Sequence, residues 1–499
     1  MHLPEAESEA ETVEGVDRRT AGLYHESVLP AAGTIVDAAE VILISPYELG
    51  RQPFGLAEPA AWLAEAGVST ACLDLSLEKL ADTEFCAARM IGLYLGMHTA
   101  TRIAVEAIAK IRERAPDAHL FAYGLYAPVN EEYLRTLGVS HIFGGESEPD
   151  IVALAMSVLA GERPVQESAV VRLDKIAFQR PHRENLPALT RYAHLVLPND
   201  QSRVVGHVEA TRGCKHVCRH CPVVPVYQGR FRVVPLGVVL DDIEQQVEAG
   251  AEHISFGDPD FLNGPTHAIK ILREMRNRWP QLTFDATVKV EHILQQPDAM
   301  QMLADSGCLF LTSAVESVED PILALLEKNH TAADFEQAVI RMLELNIALA
   351  PTFVAFTPWT TMAGYIALLK TLVNLRLVQA VPPIQLAIRL LVPAGSRLLE
   401  LEAMQRHIGP FEQTLLGYPW VHPDPRMDEL QRMIQDAVEQ GERDDEPRDA
   451  LFRRIWVLTH ETAGQPVPAL PTDLGVPIPA HSEPWYCCAE PTDAQLSSL

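Results

Sequence analysis

The stretch RGCKHVCRHC, residues 212–221, carries three cysteines in a CxxxCxxC spacing. Three thiolates on one tight loop can ligate three irons of a four-iron four-sulfur cluster. The fourth iron then has no protein ligand and stays open to a small molecule. We therefore place the chemistry of this chain at Cys214, Cys218 and Cys221.

A structural zinc site is the alternative for these cysteines, with His216 or His220 as the fourth ligand. Zinc sites usually bring together two separated ligand pairs, which staple two chain segments. Here all the candidate ligands lie within one loop, so the spacing favours an iron-sulfur cluster.

The residues beyond the loop resemble a known family. CPVVPVY (221–227), GRFR (229–232), FGDPDF (256–261) and the tail CCAEP (487–491) are similar to the radical S-adenosylmethionine (SAM) proteins named for a CUAEP or CCAEP tail. The similarity runs from about Val41 to that tail. It implies that the open iron binds the amino and carboxylate groups of SAM. It also implies that the reduced cluster cleaves a carbon–sulfur bond of the sulfonium to give a carbon radical.

Composition limits the class of protein. The 499 residues are 47% hydrophobic, which is enough for two or three domains with cores of their own. A net charge of -27 argues against a nucleic-acid partner. The sequence predicts neither a membrane span nor a signal peptide, because it has no run of 18 apolar residues and no basic-then-apolar start. We expect a cytoplasmic protein.

Cysteine usage agrees with a reducing compartment. Eight cysteines are too few for a disulfide scaffold in a chain of this length. Three lie in the central loop, two form the adjacent pair Cys487 and Cys488, and Cys72, Cys86 and Cys308 are predicted to be buried thiols.

The N-terminal half alternates short apolar runs with helical patterns. Strands are predicted at 41–45, 71–75, 90–95, 119–124 and 139–146, with helices near 55–66 and 100–114. This order is typical of a doubly wound, mostly parallel sheet. We expect a Rossmann-like domain over residues 41–162.

This domain looks similar to the cobalamin-binding domains that precede many radical SAM cores, including the segment GGESE at 144–148. The DxHxxG pattern that supplies a histidine to cobalt is absent after the first strand, and Gly124 has no paired glycine. Cobalamin is therefore possible as a cofactor. The alternative is a degenerate domain that covers the mouth of the barrel or binds the substrate.

The core pattern begins with the strand at 204–210, which leads directly into the cysteine loop. Five more strands are predicted, at 253–256, 282–288, 309–315, 347–356 and 384–391. Six strand-helix units are the number expected of the partial (β/α)6 barrel of the radical SAM family. Active groups in such barrels lie at the carboxyl ends of the strands.

The whole chain is thus predicted to be an α/β protein. It has an N-terminal Rossmann-like (cobalamin-binding-like) domain, then a partial (β/α)6 radical SAM barrel, and a helical C-terminal region with an extended cysteine-containing tail. The predicted divisions are 1–40, a disordered acidic tail; 41–162, the Rossmann-like domain; 163–203, a linker; 204–395, the barrel; 396–464, the helical region; and 465–499, a proline-rich extension.

Two acids follow barrel strands and are candidate SAM contacts. Gly257 and Asp258 stand where the family commonly has a glycine-rich segment that holds the SAM amino group, and a carboxylate is a natural acceptor for an ammonium. The alternative is a plain turn. Glu316, in a segment resembling the family's Glu-Ser pair near the SAM ribose, either accepts from SAM or caps the following helix.

Four further polar residues stand out. Arg389 lies in the apolar run AIRLL (387–391), so it requires an anionic partner: the SAM carboxylate, a substrate acid or an acid of the barrel. Lys289 and Glu291 are expected to pair with each other. Tyr227 either stacks on the SAM adenine or belongs to the core.

The tail supplies the most distinctive hypothesis. A disulfide between adjacent Cys487 and Cys488 is strained and easily reduced, whereas two thiolates are good ligands for soft centres. In relatives the second position can be selenocysteine, which implies that Cys488 contacts the substrate or a second metal or metalloid, or takes part in a redox step. Trp485 and Tyr486 would then anchor the tail.

These observations predict a radical SAM enzyme with a small-molecule substrate and an electron donor such as flavodoxin or ferredoxin. A cobalamin-dependent radical SAM methyltransferase is the first alternative. A non-catalytic metal-binding or sensing protein is the second.

Overall fold

The computed structural model describes residues 38–80, 83, 85 and 87–483. The predictions made for residues 1–37, for Cys86 and for the tail cysteines Cys487 and Cys488 with Trp485 and Tyr486 lie outside these residues. Within them the chain forms two large sheets, each covered by helices.

The first sheet has six parallel strands in the order β2-β1-β3-β4-β5-β6. The first five are short and almost entirely buried, as expected of strands covered on both faces. The strands are β1 Val41–Ser45, β2 Thr70–Asp74, β3 Met90–Tyr94, β4 His119–Tyr123, β5 His141–Gly145 and β6 Val170–Arg172.

Helices cover this sheet because each presents an apolar stripe to it. The helices are α1 Phe54–Glu65, α2 His98–Arg114, α3 Tyr126–Val129, α4 Glu131–Thr136 and α5 Glu148–Leu159. The order 2-1-3-4-5 places a topological switch point between β1 and β3, and ligands of such sheets bind outside the carboxyl ends of the strands there. The Rossmann-like fold predicted for this part of the chain is confirmed.

The second sheet is a half-barrel with five parallel strands in chain order, extended at one edge by antiparallel strands β7 and β15. The parallel strands are β8 Ser202–Val208, β11 His253–Phe256, β12 Thr283–Thr287, β13 Cys308–Glu316 and β14 Ala348–Phe353. The two antiparallel strands are β7 His194–Val196 and β15 Ala480–His481. A separate two-stranded ribbon pairs β9 Thr211–Gly213 with β10 Phe231–Val233.

Helices follow the strands of the half-barrel and pack on its outer face, where the largest apolar cluster lies. They are α7 Leu236–Glu248, α8 Pro265–Arg278, α9 Val290–Gln295, α10 Pro297–Asp305, α12 Ala332–Glu344 and α13 Met362–Asn374. Two short helices, α6 Val223–Tyr227 and α11 Asp320–Leu325, pack in smaller clusters of their own, and that of α6 includes Cys214. The helical C-terminal region adds α14 Glu402–Gln405, α15 Pro425–Arg443 and α16 Arg448–Thr462.

The sixth predicted strand is reduced to a single bridge. Residues Pro383–Leu386 form a 3-10 helix, and Phe356 then pairs with Arg389 in a parallel bridge beside β14. The prolines at 382 and 383 stand at the start of this 3-10 helix, where their fixed φ fits and no N–H donor is needed. The bridge nevertheless occupies the place expected of a sixth strand in a partial barrel.

The C-terminal segment returns to the half-barrel and is held by a buried acid. Asp285 of β12 accepts from His253 (2.9 Å) and from His481 of β15 (3.1 Å). Although burial raises it, the two histidines hold the pKa of Asp285 well below its ordinary value. The next residue, Ser482, donates its backbone N–H to the carbonyl of His194.

We expect His481→Ala to release this segment without unfolding the half-barrel, because Asp285 keeps His253 and Ser255 as partners. Hydrogen exchange at the Ser482 amide should accelerate by about tenfold or more, the loss expected for a charge-assisted hydrogen bond. Val476→Ala, in an exposed position of the same segment, is the matched control. Equal exchange in both variants would contradict the role of His481.

Candidate functional site

The cysteine loop lies between the two paired strands β9 and β10. Gly213 has a φ of +72°, and a Cβ there would lie 2.4 Å from the ring of Tyr227. Only glycine therefore allows the chain to turn into the loop while Tyr227 packs beneath it. The sequence pattern Arg-Gly-Cys is a direct consequence of this close contact.

The three thiols of the loop are free and mostly enclosed. Cys214 and Cys218 are buried and Cys221 is partly buried. Burial raises the pKa of Cys214, and it raises the pKa of Cys221 to about 12. A bound metal overcomes such an increase, since it holds a coordinating thiol in its deprotonated form.

The donor set fits a four-iron cluster. Three free thiols lie on one loop at the carboxyl end of the half-barrel, and the buried ammonium of Lys328 interacts electrostatically with Cys218 and Cys221. Burial alone would lower the pKa of Lys328, but Glu316 and the two thiols raise it above the ordinary value. A cation in this position offsets the negative charge of a thiolate-bound cluster.

A buried His-Asp-His cluster clamps the loop, and the sequence reading missed it. His216, between two of the cysteines, lies 3.4 Å from Asp260, and His292 of α9 lies 2.7 Å from the same carboxylate oxygen. Burial raises the pKa of Asp260, but the two histidines lower it to about 2. The loop is thereby tied to the ends of β11 and β12, a contact between residues far apart in the sequence.

Glu316 also contacts the loop, from the end of β13. Its carboxylate lies 3.0 Å from Nε2 of His220 and 3.4 Å from Nζ of Lys328. Burial raises its pKa, but Lys328 and His220 bring it down to about 2. Its φ of +70° is left-handed, so the strand ends here under local strain. The predicted alternative, capping of the next helix, is not seen, because α11 has no side-chain cap.

Asp258 joins the ends of two neighbouring strands. Its carboxylate accepts from the backbone N–H of Ala210 (3.0 Å) and the hydroxyl of Thr211 (2.5 Å). Burial raises its pKa to about 6, although these bonds oppose the increase. Asp258 thus faces the strand that leads into the cysteine loop. Gly257 lies against His207, whose ring would be 2.3 Å from a Cβ at this position.

Tyr227 and Arg389 have partners within the protein. Tyr227 is buried in a small apolar cluster with Cys214 and Val226. Arg389 pairs with Asp428 of α15 at 2.6 Å, and its guanidinium stacks 3.5 Å from the ring centroid of Trp420. The geometry of Arg389 is that of a structural pair, made with an acid of the helical region rather than of the barrel.

Two smaller predictions concern polar and buried residues. Lys289 lies 3.6 Å from Glu291, the pairing that was expected. Cys72 and Cys308 are buried free thiols, as predicted.

Arg212 is the centre of a buried carboxylate network that the sequence reading also missed. Its guanidinium lies 2.6 Å from Glu148, 3.2 Å from Glu146, 3.4 Å from Glu209 and 3.5 Å from Glu58. Burial alone would lower the pKa of Arg212, but these acids raise it well above its ordinary value. The only sequence signal was the clustering of acids after β5, which the segment GGESE contains.

Residues 208–357 match the family model described as the radical SAM superfamily. The chain therefore contains a radical SAM domain, and this domain includes the cysteine loop and the parallel strands that follow it.

Curated relatives agree with this assignment. A tRNA-2-methylthio-N(6)-dimethylallyladenosine synthase of Mannheimia succiniciproducens is 23% identical over 265 residues, 50% of this chain and 52% of the relative. The ribosomal protein uS12 methylthiotransferase RimO of Geobacter sulfurreducens is 24% identical over 186 residues, 34% of this chain and 40% of that protein. The chain spans about half or less of these relatives' length.

Solved structures show the same fold over a larger part of the chain. The radical SAM methyltransferase TsrM from Kitasatospora setae, with cobalamin and a 4Fe-4S cluster bound, has a TM-score of 0.56 at 17% identity; the match covers 67% of this chain and 73% of that one. The cobalamin-dependent SAM radical enzyme OxsB, with aqua-cobalamin bound, has a TM-score of 0.64 at 14% identity and covers 81% and 67%. At these identities the likeness shows a shared fold.

The raised pKa of Glu48, which lies after β1, predicts the pH dependence of stability. Burial and the nearby Asp74 raise this pKa to about 8. The folded state therefore keeps a proton that the unfolded state releases above about pH 4.5, so this group lowers stability as pH rises from about 4.5 to 8.

Glu48→Gln should remove this dependence, because the amide is neutral and its oxygen can still accept from the N–H of Phe54. As pH rises from 5 to 8, the unfolding free energy of the variant should increase by roughly 2–4 kcal/mol relative to that of the wild type. Denaturant unfolding across that range measures it. The exposed Glu106→Gln is the control, and a difference that does not change with pH would contradict the prediction.

Proposed function

We propose that this chain is a radical SAM enzyme acting on a small-molecule substrate. The observation that carries the proposal is the set of three free, enclosed thiols on one loop, at the carboxyl end of a half-barrel within a radical SAM domain. Cys214, Cys218 and Cys221 would hold the four-iron cluster, whose open iron takes SAM and, once reduced, supplies the electron that breaks a carbon–sulfur bond.

The protein groups around the loop have separate tasks. Glu316 and Asp258 place carboxylates at the ends of β13 and β11, where they can accept from the ammonium or hydroxyl groups of SAM. Gly257 keeps the end of β11 against His207, and Tyr227 supports the loop from below. Arg389 has the smallest part in this proposal, since Asp428 already neutralises it.

A cavity of about 580 Å³, between the half-barrel and the turn that joins α15 to α16, has the size of a small-molecule site, and none of the residues of the cysteine loop lines it. Its wall includes Phe310 and Thr312 of β13, Ala350 and Thr352 of β14, and His481 of the returning segment. The curated relatives are named for tRNA and for a ribosomal protein, but a net charge of -27 disfavours a polyanionic partner here.

The proposed chemistry implies an electron donor and a reducing compartment. A reduced cluster requires an electron donor, for which a flavodoxin or a ferredoxin is suited, and free thiols with an iron-sulfur cluster suit the reducing cytoplasm. Among the described residues, no helix combines the length and the apolar character needed to cross a bilayer.

Cobalamin, which the two solved neighbours hold, does not fit the corresponding place in this chain. The space between the first sheet and the half-barrel is about 320 Å³, near the lower limit for a drug-sized ligand and far below the size of a corrinoid. The ring of Tyr94 would lie 2.3 Å from a Cβ at Gly55 and 2.8 Å from one at Gly96. At Gly124 a Cβ would lie 2.8 Å from the carbonyl oxygen of Leu95, so the chain packs closely against itself at these three glycines.

The cluster assignment predicts a specific loss on substitution. Anaerobically reconstituted protein should contain iron and sulfide at one four-iron cluster per chain, and it should convert SAM to 5′-deoxyadenosine or another SAM fragment after reduction. Cys218→Ala should lose both properties, because two thiolates are left for three irons. Cys308→Ala, a buried thiol outside the loop, should retain them. A cluster that persists in Cys218→Ala, or one that does not react with SAM, would refute the assignment.

The tail cysteines are proposed to act at the cavity of the half-barrel. Glu483, the last described residue, lines that cavity and accepts from the hydroxyl of Tyr47 at 2.6 Å. Cys487 and Cys488 follow it by four and five residues, a span of about 14–18 Å in an extended chain. This distance allows the thiols to reach a substrate or a soft metal or metalloid in the cavity.

Phenylarsine oxide, which bridges two nearby thiols, tests the pair in the cluster-loaded protein. We expect one equivalent to bind per chain, and Cys488→Ser to abolish binding because one arsenic–sulfur bond is lost. Ser497→Ala, in the same tail, is the control. Undiminished binding in Cys488→Ser would remove the pair from the proposal.

A further inference from the structure

The cavity of about 320 Å³ between the two sheets has the position of a ligand site. It lies at the carboxyl ends of β1 and β3, the switch point of the first sheet, where doubly wound folds bind their ligands. Its opposite wall is formed by the half-barrel, through His207 and Glu209. The cavity therefore joins the first sheet to the region of the cysteine loop.

The wall of this cavity carries an excess of acid. Glu48, Glu58, Glu148 and Glu209 line it, whereas Arg51 and Arg212 are the guanidinium groups in the same wall. A fifth acid, Glu146, does not line the cavity but pairs with the same guanidinium of Arg212. Arg51 acts on Glu48, whereas the guanidinium of Arg212 is shared among the other four carboxylates and cannot neutralise them all.

Individual carboxylate oxygens in this wall lack a hydrogen-bond donor. Oε2 of Glu48, Oε1 of Glu58 and Oε2 of Glu148 are buried and accept no hydrogen bond, and the three residues are each at most 8% exposed. A buried acceptor without a donor costs about 1–3 kcal/mol, and more if it is charged. Three such atoms around one cavity indicate a bound group that carries several N–H donors.

The remaining wall is aromatic. Phe54, Tyr94, Tyr123, Tyr126 and Tyr227 line the cavity with the acids. Aromatic faces attract organic cations, and carboxylates attract ammonium and guanidinium groups through charge-assisted hydrogen bonds. Neither feature suits an anion.

We infer that this cavity binds a small organic cation with two or more N–H donors, such as a diamine or a guanidinium compound, in place of the corrinoid of its structural neighbours. The carboxylates of Glu48, Glu58 and Glu148 accept from the ligand, and the aromatic rings enclose its hydrocarbon part. Binding requires neither the cluster nor SAM, so the inference and the proposed function can fail separately.

Putrescine and its neutral isostere 1,4-butanediol are matched probes for the test. Isothermal titration of the full-length, cluster-loaded protein should show one putrescine site per chain, with no detectable binding of the diol. Glu48→Gln and Glu58→Gln should each weaken putrescine about tenfold or more, because the bound diamine pairs with the carboxylate after it has released its proton, and an amide of similar shape cannot ionise. Both variants keep an acceptor oxygen, so the fold is expected to persist.

The exposed Glu106→Gln, on α2 of the same sheet, serves as the control and should bind like the wild type. Equal affinity for putrescine and the diol, no putrescine binding, or binding unchanged in both cavity variants would each overturn the inference. Stoichiometric uptake of hydroxocobalamin, visible as a shift of its absorbance, would overturn it as well.

Discussion

The buried guanidinium of Arg212 is the contact on which the arrangement of this protein depends. It stands on β9, two residues before the first cysteine of the loop, and it pairs with Glu58 of α1, with Glu146 and Glu148 after β5, and with Glu209 after β8. One side chain thereby connects the first sheet, the half-barrel and the cysteine loop. Removing a partner from a buried pair of this kind typically costs about 3–5 kcal/mol, so the relative position of the two sheets is firmly defined.

Buried carboxylates divide into two groups by their partners. Asp285, Asp260 and Glu316 each face a histidine together with a second histidine or a lysine, and their pKa values are lowered. These acids hold strands, the returning segment and the cysteine loop in place. Glu48 lies near Arg51 and Glu209 near Arg212, but burial outweighs these cations and raises the pKa of both acids to about 8. Both acids line the cavity between the sheets, together with the carboxylate oxygens that lack a donor, which is why we assign that cavity a cationic ligand.

Sequence patterns predicted the strands well because those strands are buried on both faces and read as unbroken apolar runs. The cysteine loop was equally easy to predict from the sequence, since all three thiols lie within eight residues. Arg389 was less predictable: its need for an acid was correctly inferred, but Asp428 lies on a helix 39 residues away. The sixth strand was predicted less well: its apolar run begins as a 3-10 helix and pairs with the half-barrel through a single bridge.

By itself the sequence determined the alternation of strands and helices, the cysteine spacing and the glycine before the loop, because each depends on neighbours along the chain. Only the tertiary structure decided that His216 and His292 share Asp260, that His481 closes on Asp285, and that four acids converge on Arg212. Apart from that of Glu209 with Arg212, these contacts join residues tens to hundreds of positions apart, and no local periodicity specifies them. The free energy of a buried charge depends on every group that the fold brings within a few ångströms of it. For that reason the ligand chemistry of the cavity could be inferred only after the chain had been folded.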